Sequence, residues 1–283
     1  MSVNIFGMTY DSNIEKLQFL GRTTKKIPQN INKFTKLKEI MILSCEMKII
    51  SEYLCELNTL EYINLSHNRI SKIPDNFSNL INLNELDLTT NKFRYIPAPL
   101  CALINLQKLF LSDNDIDSIP IELCKLINLQ QLSLSKNRID YIPNEICNLI
   151  NLRELLLSHN NIKIIPEGLC NLINLQSLYI DYNEITQIPD NFGNLNNLRT
   201  VTINNNEITA LPISVINLVN LETGQYHDNP IENIHPIVQR FLDRIRDRGG
   251  NKHNFYNNTQ NIHASSIQQS IKNSILNILS FHL

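Results

Sequence analysis

Six cysteines, seven histidines and the carboxylates Glu85 and Asp87 are the residues of this chain that could do chemistry. Thiols in that number could hold zinc, form disulfides or act as nucleophiles. Their spacing argues otherwise. Cys55, Cys101, Cys124, Cys147 and Cys170 are separated by 23 residues or twice that, and no C-x-x-C pair occurs. Side chains recurring on such a period point in parallel rather than at one another, so the five read as a buried, reduced packing column. His67 and His159 share the same period but stand four intervals apart, about 20 Å at the spacing of neighbouring strands and too far for one ion. Glu85 and Asp87 could be an acid and a base on one strand, yet an open surface neither desolvates them nor separates their pKa values. No phosphate-cradling loop, nucleophile elbow or H-E-x-x-H pair accompanies the seven glycines. These residues predict no enzyme, no metal site and no cofactor.

The elements that carry these side chains all follow one period. Asn68, Asn91, Asn114, Asn137, Asn160, Asn183, Asn206 and Asn229 recur every 23 residues, and so do the leucines from Leu37 through Leu221. Each unit reads L-x-x-L-x-L-x-x-N-x-I-x-x-I-P-x-x-F/I/L-x-x-L-x-N, and self-similarity at this period means a solenoid. The L-x-L core alternates with period two, which predicts a short strand with its leucines turned inward and the intervening residues in solvent. A single unit cannot cover its own apolar side. It must stack on its neighbours, and each buried Leu or Ile contributes about 1.5 to 3 kcal/mol. The asparagine after the strand both donates and accepts, so a column of them can satisfy backbone groups buried between coils. Ile-Pro pairs such as Ile119-Pro120 and Ile142-Pro143 then open a segment on the convex side, where proline sets φ for a helical turn. The recurring "NLINL" closes the unit with a second asparagine column.

This unit resembles the leucine-rich repeat, over roughly residues 14–236 and about ten units. The 23-residue form is similar to the intracellular Ras-suppressor and scribble-type proteins and to the plant intracellular Ras-group repeat proteins. The resemblance implies an α/β fold: a leucine-rich repeat solenoid, or horseshoe, with a concave parallel β-sheet and a convex side of short helical or irregular turns. It also implies a scaffold or adaptor that binds a protein partner on the concave face.

The ends depart from the pattern, as a capped stack requires. Residues 1–13 form an N-terminal segment, and 14–59 are degenerate capping units, with Arg22 and Cys45 where the ladder asparagine belongs. Pro236 starts a helix, 237–248, whose Ile237, Phe241, Leu242 and Ile245 should cover the last coil. Arg240, Arg244 and Arg248 interleave with Asp243 and Asp247 on it and read as a solvated face. After Gly249-Gly250, residues 249–283 are an Asn/Ser-rich linker and an amphipathic tail helix carrying Ile267, Ile271, Ile275 and Ile278.

Stacking leaves the solvent-facing strand positions free, and there a repeat protein writes its specificity. The middle strand position runs Met41, Asn64, Asp87, Phe110, Ser133, Leu156, Tyr179, Thr202, and just beyond the strands come His67, Thr90, Asp113, Lys136, His159 and Tyr182. Leu156, His159, Tyr179 and Tyr182 belong to two adjacent coils and predict one apolar-aromatic patch of the kind that anchors interfaces. Phe110 extends the apolar series, and Glu85, Asp87 and Asp113 form an acidic zone several coils away.

With 42% hydrophobic and 18% charged residues, a net charge of -2 and a pI near 6.4, the chain has no general pull toward nucleic acid or anionic membrane. Its first residues, "MSVNIFGMTYDSNIEKLQFL", lack the basic and apolar regions of a secretion signal, so a cytoplasmic monomer is expected. A non-enzymatic protein-binding scaffold fits best. The alternative is a substrate receptor or effector that delivers targets to a ubiquitin ligase through its C-terminal tail.

Overall fold

Each 23-residue unit makes one coil: a strand, a turn, an extended descent, a 3-10 turn and a return. The computed structural model describes residues 2–21 and 25–248. Strands β1 (Ser2–Ile5) and β2 (Met8–Asp11) form an antiparallel hairpin. Its turn residues Phe6 and Gly7 both have positive φ, the pattern that matches the twist of a two-residue hairpin loop. Ten further strands pair in parallel in strict chain order. They are β3 (Lys16–Leu20), β4 (Glu39–Leu43), β5 (Tyr62–Asn64), β6 (Glu85–Asp87), β7 (Lys108–Phe110), β8 (Gln131–Ser133), β9 (Glu154–Leu156), β10 (Ser177–Tyr179), β11 (Thr200–Thr202) and β12 (Thr223–Gln225). Helix α1 (Pro236–Arg248) follows. The register is one coil per strand without slip: Phe110 pairs with Ser133, Ser133 with Leu156, and Leu156 with Tyr179.

The apolar columns fill the space between sheet and convex shell. Leu83, Leu86, Leu88, Phe93 and Leu100 from one coil are all fully buried, and their equivalents repeat along the stack. Proline caps the N-terminus of most convex turns, with ψ near the extended region, and the five-residue turns bury their third residue, as Leu123, Ile146 and Leu169 show. A leucine, or Phe34 in the first turn, then ends the turn, its N–H donating to the carbonyl three residues back, as Leu126 N–H does to Leu123 at 3.1 Å. The turns are 3-10 rather than α because five residues must close within a coil whose rise is set by the sheet.

The ladder asparagine joins two adjacent coils. Asn137 Nδ2 donates to the carbonyls of Leu111 at 3.0 Å, Leu134 at 3.0 Å and Ser135 at 3.3 Å, while its Oδ1 accepts from Ile116 N–H at 3.0 Å. Asn91, Asn114, Asn183, Asn206 and Asn229 repeat these four bonds. Asn68 and Asn160 sit in the same place, the former bonding Cys45 N–H at 3.1 Å. Cys45 occupies the ladder position of the second coil, after β4, and its thiol donates to Leu43 O at 3.2 Å. The second column is also in place: Asn105, Asn128, Asn151 and Asn174 each donate to the carbonyl 24 residues back.

Both ends are covered. At the N-terminal end Val3 and Ile5 of the hairpin are buried, and the Phe6 ring meets Phe19 edge to face at 4.7 Å. At the other end α1 buries Val238 and Ile245 and half-buries Phe241 and Leu242. Ile237, expected on the inner face, is instead exposed, because Val238 occupies the repeat position that Leu169 and Val215 fill in earlier coils. Arg22 and the tail 249–283, with its expected linker and amphipathic helix, lie outside the described residues.

Candidate protein-binding surface on the concave face

The residue following each strand turn adopts a left-handed backbone without being glycine. His67, Thr90, Asp113, Lys136, His159 and Tyr182 have φ between 53° and 59°. Such a conformation costs about 1 to 2 kcal/mol per residue. It is held because the next residue is the ladder asparagine, whose four hydrogen bonds require the chain to reverse there. The consequence is a row of side chains thrown outward along one rim of the sheet. His159 and Tyr182, one coil apart, stack with ring centroids 4.3 Å apart and planes 8° from parallel. Tyr182 remains 47% exposed, so its outer ring face is free to meet another surface. Burial, reinforced by the Lys136 charge, holds the His159 imidazole below its ordinary pKa, which favours the neutral ring in the stack.

The middle strand residues face the concave side but do not lie open to solvent, which corrects the sequence-based expectation. Leu156 is only 8% exposed, and Asn64, Asp87, Ser133 and Thr202 are buried too. Parallel strands sit about 4.8 Å apart, less than the width of a large side chain, so large residues spread over smaller neighbours. Phe110 and Tyr179 are the large members of the row and stay half-exposed. Leu156 lies apart from the main apolar core, flanked in register by Ser133 and Tyr179. It is the floor beneath the aromatic rim rather than a protruding anchor.

The acidic zone is likewise not an open field of charge. Glu85 pairs with Lys108 at 2.9 Å. Asp113 accepts a hydrogen bond from Thr90 Oγ1 at 2.9 Å. Asp87 is buried, accepts from Asn64 Nδ2 at 3.1 Å and Thr89 N–H at 2.9 Å, and its pKa is raised by that burial. Steering of a partner by this zone is therefore weak.

Three features escaped the sequence. Asp181 is fully buried beside the rim and accepts from Thr202 Oγ1 at 2.6 Å and Ser158 Oγ at 3.0 Å, a polar seam that the serine column hid. Glu154 is half-buried at the first strand position and accepts from Gln131 Nε2 at 2.6 Å. On the flank at the strand entrances, Ile81, Ile104, Ile127, Ile150 and Ile173 form an exposed row beside an open trough of about 910 Å³ lined by Asn84, Gln107 and Gln130. The isoleucine of "LINL", repeated in five consecutive coils, was the available signal for that row.

The cysteine column occupies the convex turns as expected but is not uniformly buried. Cys55, Cys124 and Cys170 are buried, with thiol pKa values pushed up to about 12 by desolvation, while Cys101, at about 11, and Cys147 are half-buried. Among the described residues no three of His, Cys, Asp and Glu stand together as metal ligands, and no helix is long and apolar enough to cross a membrane.

Stacked one-strand coils with a laddered asparagine and a continuous parallel sheet define a repeat solenoid. Family models agree on which: a leucine-rich repeat region matches residues 117–201, and further leucine-rich repeat models match 35–93 and 105–126. The chain carries a leucine-rich repeat domain. Solved structures share its fold. A leucine-rich repeat protein of Leptospira interrogans is 22% identical with a TM-score of 0.56, covering 79% of this chain and 74% of its own. An internalin of Listeria monocytogenes is 21% identical with a TM-score of 0.62, covering 78% and 68%. The ectodomain of the Arabidopsis thaliana receptor kinase GASSHO1/SCHENGEN3, solved in complex with CASPARIAN STRIP INTEGRITY FACTOR 2, is 30% identical with a TM-score of 0.72, covering 81% of this chain. This chain spans only 29% of that ectodomain. No curated protein matches the chain.

Proposed function

We propose that this protein is a non-enzymatic interaction scaffold that binds a protein partner on the concave face, anchored at the rim formed by Tyr179, His159 and Tyr182 above Leu156. The observation that carries the reading is the stacked His159–Tyr182 pair, presented outward by two strained turns, with Tyr179 on the same coil as Tyr182 and in register with Leu156. Aromatic rings in that setting supply large contact area with few rotamers to freeze. Leucine-rich repeat folds typically serve as such scaffolds, and the 23-residue unit favours kinship with the intracellular Ras-suppressor and scribble-type proteins. A cytoplasmic setting suits the column of reduced thiols. Delivery of targets to a ubiquitin ligase would rest on residues 249–283 and draws no support from the described residues.

The test is affinity purification of a partner from the native cell, followed by measured binding to wild type and to a Tyr179→Ser, Tyr182→Ser variant. Truncating an interface anchor typically costs about 2 kcal/mol, or roughly 30-fold in Kd. The double variant should lose at least that much while its urea midpoint stays within error of the wild type. A folded variant that keeps full affinity would remove the rim as the binding site.

A further inference from the structure

Charge along the first column of the concave strands is neutralised coil by coil. Glu39 pairs with Lys16 at 2.8 Å and Glu85 with Lys108 at 2.9 Å. Glu154 continues the column without a cation. Its Oε2 accepts from the neutral amide of Gln131 at 2.6 Å, and its in-register neighbour on the other side is Ser177. Among the described residues no Lys or Arg forms an ion pair with Glu154, and Lys108, whose charge reaches it, is already engaged by Glu85.

The surroundings of Glu154 belong to the same rim. Leu156 lies two residues along the same strand and so on the same face, and Tyr179 pairs in register with Leu156 on the next strand. The Glu154 charge acts on the Tyr179 phenol, which burial has already made less acidic. Burial also raises the Glu154 carboxyl above the ordinary glutamate range, with the Gln131 bond only partly offsetting it. A half-buried carboxylate given only an amide gains more from an incoming cation than a fully exposed one does.

We propose that the concave face recognises an arginine side chain of its protein partner, with Glu154 as the counter-ion and Tyr179 as the aromatic wall beside it. This rests on the reading of the rim as the binding site. A guanidinium is planar, so it can form two parallel bonds to the carboxylate while lying against an aromatic face. Its aliphatic stem can run over Leu156. A lysine would satisfy the charge but not the plane. An acidic or wholly apolar anchor would leave Glu154 desolvated and unpaired, a loss that selects against such partners.

Selection of a phage-displayed random peptide library against the full chain tests this. The expected result is a set of binders sharing one arginine. A synthetic peptide from the set should bind the Glu154→Gln variant at least ten-fold more weakly than wild type, lose several-fold when its arginine becomes lysine, and lose most when it becomes alanine. In the complex, the carboxyl pKa of Glu154 followed by NMR should fall. The peptide substitutions keep the test intact even if the protein variant is poorly folded. Binders without a shared basic residue, binders indifferent to Glu154→Gln, or no binders at all would each overturn the proposal. If such binders still lose affinity on Tyr182→Ser, the rim stands and only the arginine is lost. Binders indifferent to Tyr179→Ser and Tyr182→Ser remove the rim as well.

Discussion

Asn137 illustrates what a single residue does in this stack. Its amide serves one N–H and three carbonyls drawn from two coils, none of which has water to turn to. Asn137→Ala should lower stability by about 1 to 3 kcal/mol, since buried backbone groups lose their partner. Gln176→Ala, at an exposed position, should leave the urea midpoint unchanged. Equal midpoints for the two variants would refute the ladder account. Asp87 supplies a pH test. Burial raises its folded pKa, so the proton is held more tightly in the folded state than in the unfolded chain. The stabilising contribution of that proton is complete below the ordinary aspartate pKa and is lost as pH climbs through the raised value. The wild-type urea midpoint should therefore drop across that window by more than that of Asp87→Asn, which has no proton to lose. Identical pH dependence in the two would show that Asp87 is not the group involved. The asparagines were legible in the sequence because every coil imposes the same demand on them. The burial of Asp87 and Leu156 was not, because it depends on the size of neighbours one coil away.

At the scale of the element, each coil tolerates change wherever its neighbour leaves room. Gly168 and Gly224 are opposite cases. A Cβ on Gly168 would lie 2.0 Å from the Asn144 carbonyl oxygen of the preceding coil, and backbone cannot step aside. Gly168→Ala should destabilise by about 1 to 3 kcal/mol or more. Gly224 stands on β12 where earlier coils have Leu, Ile or Val, above a small apolar gap lined by Val201, Leu221 and Phe241. A Cβ there would meet only Leu221 Cδ2 at an ordinary 3.5 Å. Gly224→Ala should stabilise by about 0.4 to 1 kcal/mol, mainly by narrowing the unfolded ensemble. Thermal unfolding of both variants checks the pair, and shifts of the same sign would contradict this picture of coil contacts. The strand, proline and convex turn of each unit could be read from one period. The terminal hairpin could not, because four-residue strands with a single turn leave no repeat to read.

For the whole molecule, stability is a sum over coils and the contacts between neighbours, closed at each end by a cap. The cysteines report on it from Cys45 near one end to Cys170 toward the other. At mildly alkaline pH a thiol reagent should label Cys147 and Cys101 in the folded protein slowly. Cys45, Cys55, Cys124 and Cys170 should react only after unfolding, because burial keeps them from reagent and, for the last three, holds the thiol protonated. If the stack opens as one unit these four become reactive together along a urea series. Release of Cys170 well before Cys55 would instead mark the end near α1 and its apolar gap as the weaker cap.

The amino-acid sequence by itself determined the period, the identity of the inward columns, the asparagine ladder and the absence of a catalytic motif. All of these follow from demands that every coil repeats, and repetition makes a demand visible in one dimension. Only the tertiary structure decided which outward residues remain accessible. Side chains at one-coil spacing are wider than the strands that carry them, so whether Leu156 is a floor, Tyr182 a rim or Glu154 an unpaired carboxylate depends on what the neighbouring coil places beside it.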